Sequence, residues 1–370
     1  MSDKYDVAVI GLGALGAASL WRLAEMGARV VGIDQFVPPH ALGATHGKTR
    51  LFRTFCLEHP ALSDYAGLSR QLFASLDPSL LHLTGGLMIG LPDSQAVAGT
   101  LQAAQRAGTS LEVISGAELA RRQPQHLHLR KDEIAVIDPY AGVAHPEAFV
   151  QAALQRAISL GARVVNGTRV TEARDCGNEV HVTTATGTLI ADQVVIAGGA
   201  WLKRFAPRLP LDPIRTLMTW FEAVPHYALA DFPVFVREID AQLTLWGHGY
   251  LSGGDVKLGL GDIGVPRQAL DPDNMDRGVG TAESAETLHA VQQWLGGISP
   301  QPIRVDPCMI TRTPDAQFVA GRYEGRVLVA GGDSGHAFKH APAVGEVIAR
   351  LASGRVPELD VDFINPQRFF

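Results

Sequence analysis

Apolar runs and glycines alternate early in the chain. Residues 5–10 (YDVAVI) are a short apolar run fit for a buried strand, and Gly11-Leu12-Gly13-Ala14-Leu15-Gly16 follows at once. Leu20, Leu23 and Ala24 then recur at helical spacing over residues 14–26, with Gly27 placed as the cap. Residues 29–34 (RVVGID) form a second apolar run that ends in an acid. A strand, a helix and a strand in that succession predict a parallel sheet. Three later runs share the same character, at 163–165, 194–197 and 326–330. Helical spacing predicts helices at 60–76, 94–107, 116–122, 146–160, 282–295 and 342–351, and short strands at 87–89 and 111–114. Residues 168–196 alternate apolar and polar positions around Asn178 and Gly187, which predicts an antiparallel meander. Residues 210–265 are mostly strand-like and contain Val256-Lys257-Leu258-Gly259-Leu260-Gly261. Parallel-type strands thus come from both ends and the middle, with alternating segments between them. That arrangement predicts two domains that interleave along the chain.

Length and composition agree. The 370 residues suit two domains, and 46% hydrophobic residues supply a large core. Lys+Arg 32 against Asp+Glu 38 gives a net charge of -6 with no block of like charge, a poor basis for nucleic-acid binding. No stretch is long and apolar enough to span a bilayer. Residues 7–21 carry no charge, but Asp3 and Asp6 flank them and three glycines interrupt them, so they read as part of the fold rather than a leader. Cys56, Cys176 and Cys308 lie far apart, which excludes a disulfide framework and a CxxC zinc site and fits a reducing cytoplasm. No metal site and no GxSxG nucleophile elbow are expected.

Candidate chemistry gathers in five places. Gly11-x-Gly13-x-x-Gly16, followed by Asp34 at the end of the second strand, fits dinucleotide binding. Gly11 allows the tight turn, Gly13 the approach of a pyrophosphate, and Gly16 the packing of helix on strand, while Asp34 can accept from ribose hydroxyls. These residues do not separate FAD from NAD. The loop His46-Gly47-Lys48-Thr49-Arg50-Leu51-Phe52-Arg53 holds three cations in six residues and reads equally as a solvated loop or as a loop over a cofactor. Lys257 alternates with apolar neighbours and is followed by Gly259 and Gly261 on the same face. By itself it reads better as an edge-strand lysine in water than as a ligand contact. Gly331-Gly332-Asp333-Ser334-Gly335-His336 follows an apolar run and offers backbone N–H groups to an anionic or carbonyl oxygen. Cys308 alone would be given no role.

Taken together, these residues resemble the monomeric sarcosine oxidase and N-methyltryptophan oxidase family of flavoprotein amine oxidases. The resemblance rests on YDVAVIGLGALG, the Pro-Pro-His at Pro38–His40, HGKTRLFR, AGGAW at Ala197–Trp201, KLG at Lys257–Gly259, CMITRTPD from Cys308 and SGHAFKHAPAVGE from Ser334, all in the family's order. It implies an α/β fold in which a glutathione-reductase-like FAD-binding domain (1–85, 145–212 and 313–370) interleaves with an α+β substrate domain (86–144 and 213–312) carrying a mostly antiparallel sheet. It also implies FAD joined covalently to Cys308, with Gly11, Gly13, Gly16, Asp34, Thr49 and Gly335 around the cofactor. Arg53 and Lys339 match a pair that grips the substrate carboxylate. Lys257 matches a lysine that promotes reaction with oxygen, and His46 and Arg50 match residues lying against the flavin.

The implied activity is oxidation of a secondary amine, or of an N-substituted or cyclic amino acid, to an imine, with oxygen reduced to hydrogen peroxide. A dehydrogenase of the same fold using an electron carrier, a fructosyl amino acid oxidase, a flavin-bearing binding module and an NAD-dependent dehydrogenase are the alternatives. Departures from the family pattern fall in the side-chain pocket, at Ile310, at Leu260-Gly261 where the family has Tyr-His, and at Trp246 where it has tyrosine. They predict a roomier, less polar pocket than one for sarcosine. Two cations in a partly dry pocket require an anionic partner, so a ligand with a carboxylate is expected.

Overall fold

The computed structural model describes residues 4–251, 254–261 and 270–370. The five apolar runs lie parallel in one sheet, in the order Arg163–Val165, Val30–Ile33, Lys4–Ile10, Gly187–Ile196 and Val327–Gly331. Val30–Ile33 and Val327–Gly331 are buried throughout, as strands covered on both faces require. The helices Ala14–Glu25, Leu62–Leu76, Pro146–Ser159 and Ala341–Ala352 supply one apolar layer. A second apolar layer includes Val180, Val182, Leu209 and Tyr323. The predicted meander is present: Val170–Asp175 and Val180–Thr184 continue the sheet antiparallel beside Gly187–Ile196.

A second sheet runs Arg304–Arg312, Asp212–Phe221, Val256–Leu260, Thr244–His248, Val234–Glu238, Gly86–Gly90, Ile134–Asp138, Glu112–Ser115. It is antiparallel except where Val234–Glu238 meets Gly86–Gly90. Period-two alternation divides its faces. Val256, Leu258, Phe235 and Leu245 join a core with Phe221 and Phe232, whereas Met218, Trp220 and Cys308 cluster separately. A small third sheet pairs Arg50–Phe52 and Leu81–Leu83 with Gly142–Ala144, and so fixes the end of the basic loop. Strands of the two large sheets alternate along the chain, which is the interleaving that the pattern predicts.

Two expectations need adjustment. The helix expected at 94–107 opens as a π-helical turn, Gln95–Gly99, before Thr100–Arg106. Ser94 caps Val97, and Glu238 accepts from Ala96 N at 3.0 Å, so a strand distant in sequence shapes the turn. The expected strand-rich stretch at 210–265 contains four strands, and its end, 262–265, lies outside the described residues.

Candidate active site

The first strand ends where Gly11 N donates to Ile33 O at 2.8 Å, and Leu12 N donates to Asp34 Oδ2 at 2.7 Å. Asp34 is 5% exposed and also accepts from Phe36 N, so its carboxylate is pinned at the end of the second strand. A β-carbon on Gly16 would stand 1.7 Å from Gly11 O, which only glycine avoids. The helix Ala14–Glu25 starts at Gly13 without a side-chain cap, and Thr45 Oγ1 takes Ala14 N at 3.2 Å. Its positive end therefore faces an adjoining cavity.

That cavity measures about 1080 Å³. It exceeds the roughly 300–1,000 Å³ usual for one small molecule. It runs from Gly11, Gly13 and Asp34 past His40 to Arg50, Cys308 and Gly335, and on to Arg53, Glu58, Lys339 and Trp246. An elongated cavity that begins at an uncapped helix end and a pinned acid fits FAD with space beyond it for a substrate.

His46, Thr49 and Lys257 are not among the lining residues but stand behind the loop that is. Lys257 is 1% exposed on a central strand, between Asp212–Phe221 and Thr244–His248, which overturns the edge-strand-in-water reading. Its Nζ donates to Thr49 O at 2.9 Å and Gly47 O at 3.2 Å, and sits 4.9 Å from the Trp220 ring centroid. Burial, then Arg50, pushes its pKa well below the ordinary value. His248 Nδ1 donates to Gly249 O at 2.7 Å, leaving Nε2 to accept from Thr49 Oγ1 at 3.0 Å. Burial drops His248 to about 4, and burial with Arg50 drops His46 to about 4. Both rings are thus neutral at pH 7. Arg50 reaches the cavity with its guanidinium fixed by Thr49 O and Ala44 O, each at 2.9 Å. The Trp246 indole covers Gly259.

Arg53 and Lys339, expected to grip a substrate carboxylate, do converge, and both already meet an internal anion, Glu58. Its Oε1 pairs with Arg53 Nη2 in a very short contact and with Lys339 Nζ at 3.2 Å. Arg53 is 7% and Lys339 4% exposed. Burial opposes ionisation of Glu58, but Arg53 and Lys339 outweigh it and hold the carboxyl well below its ordinary value. Burial lowers Lys339 despite Glu58, while Arg53, opposed by burial, is raised by Glu58. Two cations thus share one internal carboxylate, and Arg53 Nη1 and Glu58 Oε2 are buried without a hydrogen-bond partner among the described residues. Glu58 carries no motif. Its only signal in the sequence is its place five residues after Arg53.

Cys308 is 3% exposed, lines the cavity and has its pKa raised by burial. Asp333, from the glycine-rich turn after Val327–Gly331, accepts from Thr311 N and Gly335 N, each at 3.0 Å, and burial raises it to about 6. Leu57, Val236, Trp246, Leu260 and Ile310 make the far wall apolar, with Gln95 and Thr244 also lining it. His336 and His340 stand four apart, a spacing used by metal ligands. Their ring centroids are 6.3 Å apart, and no group of three metal-binding side chains forms among the described residues.

Residues 6–351 match the family described as FAD dependent oxidoreductase. Monomeric sarcosine oxidase of Streptomyces avermitilis is 33% identical, covering 100% of this chain and 98% of that protein. N-methyl-L-tryptophan oxidase of Yersinia pestis is 28% identical over 99% of each. Among solved structures, NikD, described as an unusual amino acid oxidase essential for nikkomycin biosynthesis, superposes with a TM-score of 0.84 at 23% identity, covering 99% of this chain and 98% of that one. Glycine oxidase of Geobacillus kaustophilus superposes at 0.78 with 20% identity, covering 99% of each chain.

Proposed function

The chain belongs to the FAD dependent oxidoreductase family and is a flavin-dependent amine oxidoreductase of the sarcosine oxidase type, and from that premise we propose that it oxidises a secondary amine, or an N-substituted or cyclic amino acid, to the imine with oxygen as acceptor. Bound FAD supplies the hydride-accepting chemistry. Gly11 and Gly13 with the helix end would hold its pyrophosphate, Gly16 lets the helix pack close enough to do so, and Asp34 would hold its ribose. Arg50, with His46 and Thr49 behind it, and Gly335 would hold the ring side of the cofactor, and Cys308 would carry the covalent link. Residues 1–85, 145–212 and 313–370 make the FAD-binding domain, and 86–144 with 213–312 the substrate domain.

The observation that carries the proposal is the buried Arg53–Glu58–Lys339 cluster at the end of the cavity. An incoming carboxylate takes the place of Glu58 and supplies the acceptor that Arg53 Nη1 lacks, which fixes the amine beside the cofactor. The apolar wall of Trp246, Val236 and Leu57 excludes water and accepts a side chain or ring, so such an amino acid turns over better than sarcosine. The imine hydrolyses in water. Lys257 places N–H donors close behind the loop, where they favour reduction of oxygen. No helix among the described residues is long and apolar enough to cross a membrane, and three free cysteines, one of them exposed, fit a cytoplasmic location.

The test is a screen of N-methyl, cyclic and fructosyl amino acids and simple amines, scored both for anaerobic bleaching of the flavin and for peroxide in air. A carboxylated amine that bleaches the flavin and yields peroxide supports the proposal. Bleaching without peroxide assigns a carrier-dependent dehydrogenase, and bleaching only by amines without a carboxylate removes the anchoring argument.

A further inference from the structure

The segment Gly47-Lys48 is bent in a way that side chains resist. Gly47 has φ 96° and Lys48 has φ 64°, the latter a left-handed conformation carried by a non-glycine residue. The N–H groups of both residues point to one place, where an anion can accept from them. The anion in this structure is Glu147. Its Oε1 accepts from Gly47 N at 2.7 Å and Lys48 N at 3.0 Å, and its Oε2 accepts from Lys48 N at 3.1 Å. Glu147 lies in the first turn of the helix Pro146–Ser159 and does not line the cavity. On the other side, Lys257 holds the carbonyls of Gly47 and Thr49, and His145 Nδ1 donates to Lys48 O at 3.0 Å. The N–H groups of the turn are therefore held by Glu147 and its carbonyls by Lys257 and His145. The residue that emerges from it, Arg50, is held in the cavity wall by Thr49 O and Ala44 O.

We infer that Glu147 is a positioning residue: by accepting from the Gly47 and Lys48 N–H groups it stabilises the strained turn and thereby fixes the Arg50 guanidinium where the cavity needs it. It does not line the cavity and acts only through the turn. Two features make the assignment specific. The carboxylate takes both of the N–H groups that the bend presents, and the strain falls on Lys48, an exposed side chain that gains nothing else from its conformation. The local geometry does not depend on the functional proposal above, whereas the consequence for turnover rests on it.

The test uses Glu147→Ala, Glu147→Gln and the double variant Glu147→Ala/Lys48→Gly, in the whole protein. Amide hydrogen exchange, followed with and without FAD, should quicken on the order of tenfold or more in peptides spanning 46–50 of Glu147→Ala and stay unchanged in the large sheets. The visible bands of bound flavin should shift, and kcat should fall on the order of tenfold while KM stays within about twofold, because Arg53 and Lys339 are untouched. Glu147→Gln keeps one acceptor and should fall between. Lys48→Gly removes the strain and should restore much of the exchange protection and the spectrum. Exchange that is unchanged in 46–50, or that quickens throughout the protein, overturns the inference, as does a double variant with no recovery. A rise in KM at constant kcat would place the effect at the anchors and also overturn it. If no amine is turned over, exchange and spectrum still decide the matter, and only the functional proposal fails.

Discussion

The Trp246 indole lies against the backbone of Gly259: a β-carbon on that glycine would stand 2.4 Å from the ring. Its Nε1 donates to Leu260 O at 2.9 Å, so the ring is pinned by face and by edge as a wall of the cavity. Gly259→Ala should push the indole into the substrate space without altering any group that binds a ligand. The ratio of kcat/KM for a ring-bearing amino acid over sarcosine should drop, by about 1–3 kcal/mol of lost packing. An unchanged ratio would show that Trp246 does not border the substrate.

Glu58→Gln leaves Arg53 and Lys339 without their internal anion. A carboxylated substrate then no longer competes with it, and its KM should fall roughly tenfold, about 1.5 kcal/mol. The folded protein should lose stability at the same time, since two buried cations keep only an amide between them. Because Glu58 is held well below its ordinary value, the stability it contributes is complete above the unfolded carboxylate pKa and disappears as pH falls through the folded one. Steady-state KM and thermal unfolding of the ligand-free protein check both halves. A raised KM would mean that Glu58 contacts the substrate instead of standing in for it.

Cys308→Ala removes the one thiol that lines the cavity among the described residues. Wild-type protein, acid-precipitated and washed, should stay yellow and weigh one FAD more than the chain. The variant should release its FAD yet still bind it, because Gly11 to Gly16 and Asp34 are far from the substitution. A colourless wild-type pellet would end the covalent assignment.

His126 is 4% exposed between Phe232 and Phe235, and neither ring nitrogen has a hydrogen-bond partner among the described residues. Burial, then Arg237, lowers its pKa to about 3. The unfolded chain therefore binds the proton first. Stability is complete above the unfolded value of about 6.5 and is lost as pH falls toward the folded one. Between pH 7 and pH 5 this single ring costs about 2 kcal/mol. His126→Phe should remove that part of the slope in urea unfolding measured at both pH values. A slope equal to wild type would place the acid sensitivity elsewhere.

What could be read early was whatever is decided locally. The strand–helix–strand unit and the parallel runs follow from short-range patterns, and Arg163–Val165 and Gly116–Arg122 lie where the pattern puts them. Lys257 is the opposite case. Whether its strand is central depends on pairing with Asp212–Phe221 and Thr244–His248, and its partners Gly47 and Thr49 lie more than two hundred residues away. Glu58 looks like any acid after a basic loop until Lys339 is folded beside it. The π-helical opening at Gln95–Gly99 depends on Glu238, 142 residues from Ala96. The resemblance brought Arg53, Lys339 and Cys308 to attention, but Glu58 and Glu147 belong to no motif and needed the fold to give them neighbours.

Both large sheets are completed late. Arg304–Arg312 closes one edge of the second sheet and carries Cys308, and Val327–Gly331 is the last parallel strand of the first. During synthesis, the glycine turn at Gly11 to Gly16 emerges roughly three hundred residues before the strands that complete its cavity. With translation at about 5–20 residues per second, that interval is on the order of 15–60 s. The nascent chain must therefore wait with its cofactor groove open on one side, and cofactor capture belongs to the end of folding. A premature stop anywhere before residue 331 accordingly leaves the glycine motif intact on a polypeptide that lacks the last parallel strand of the first sheet.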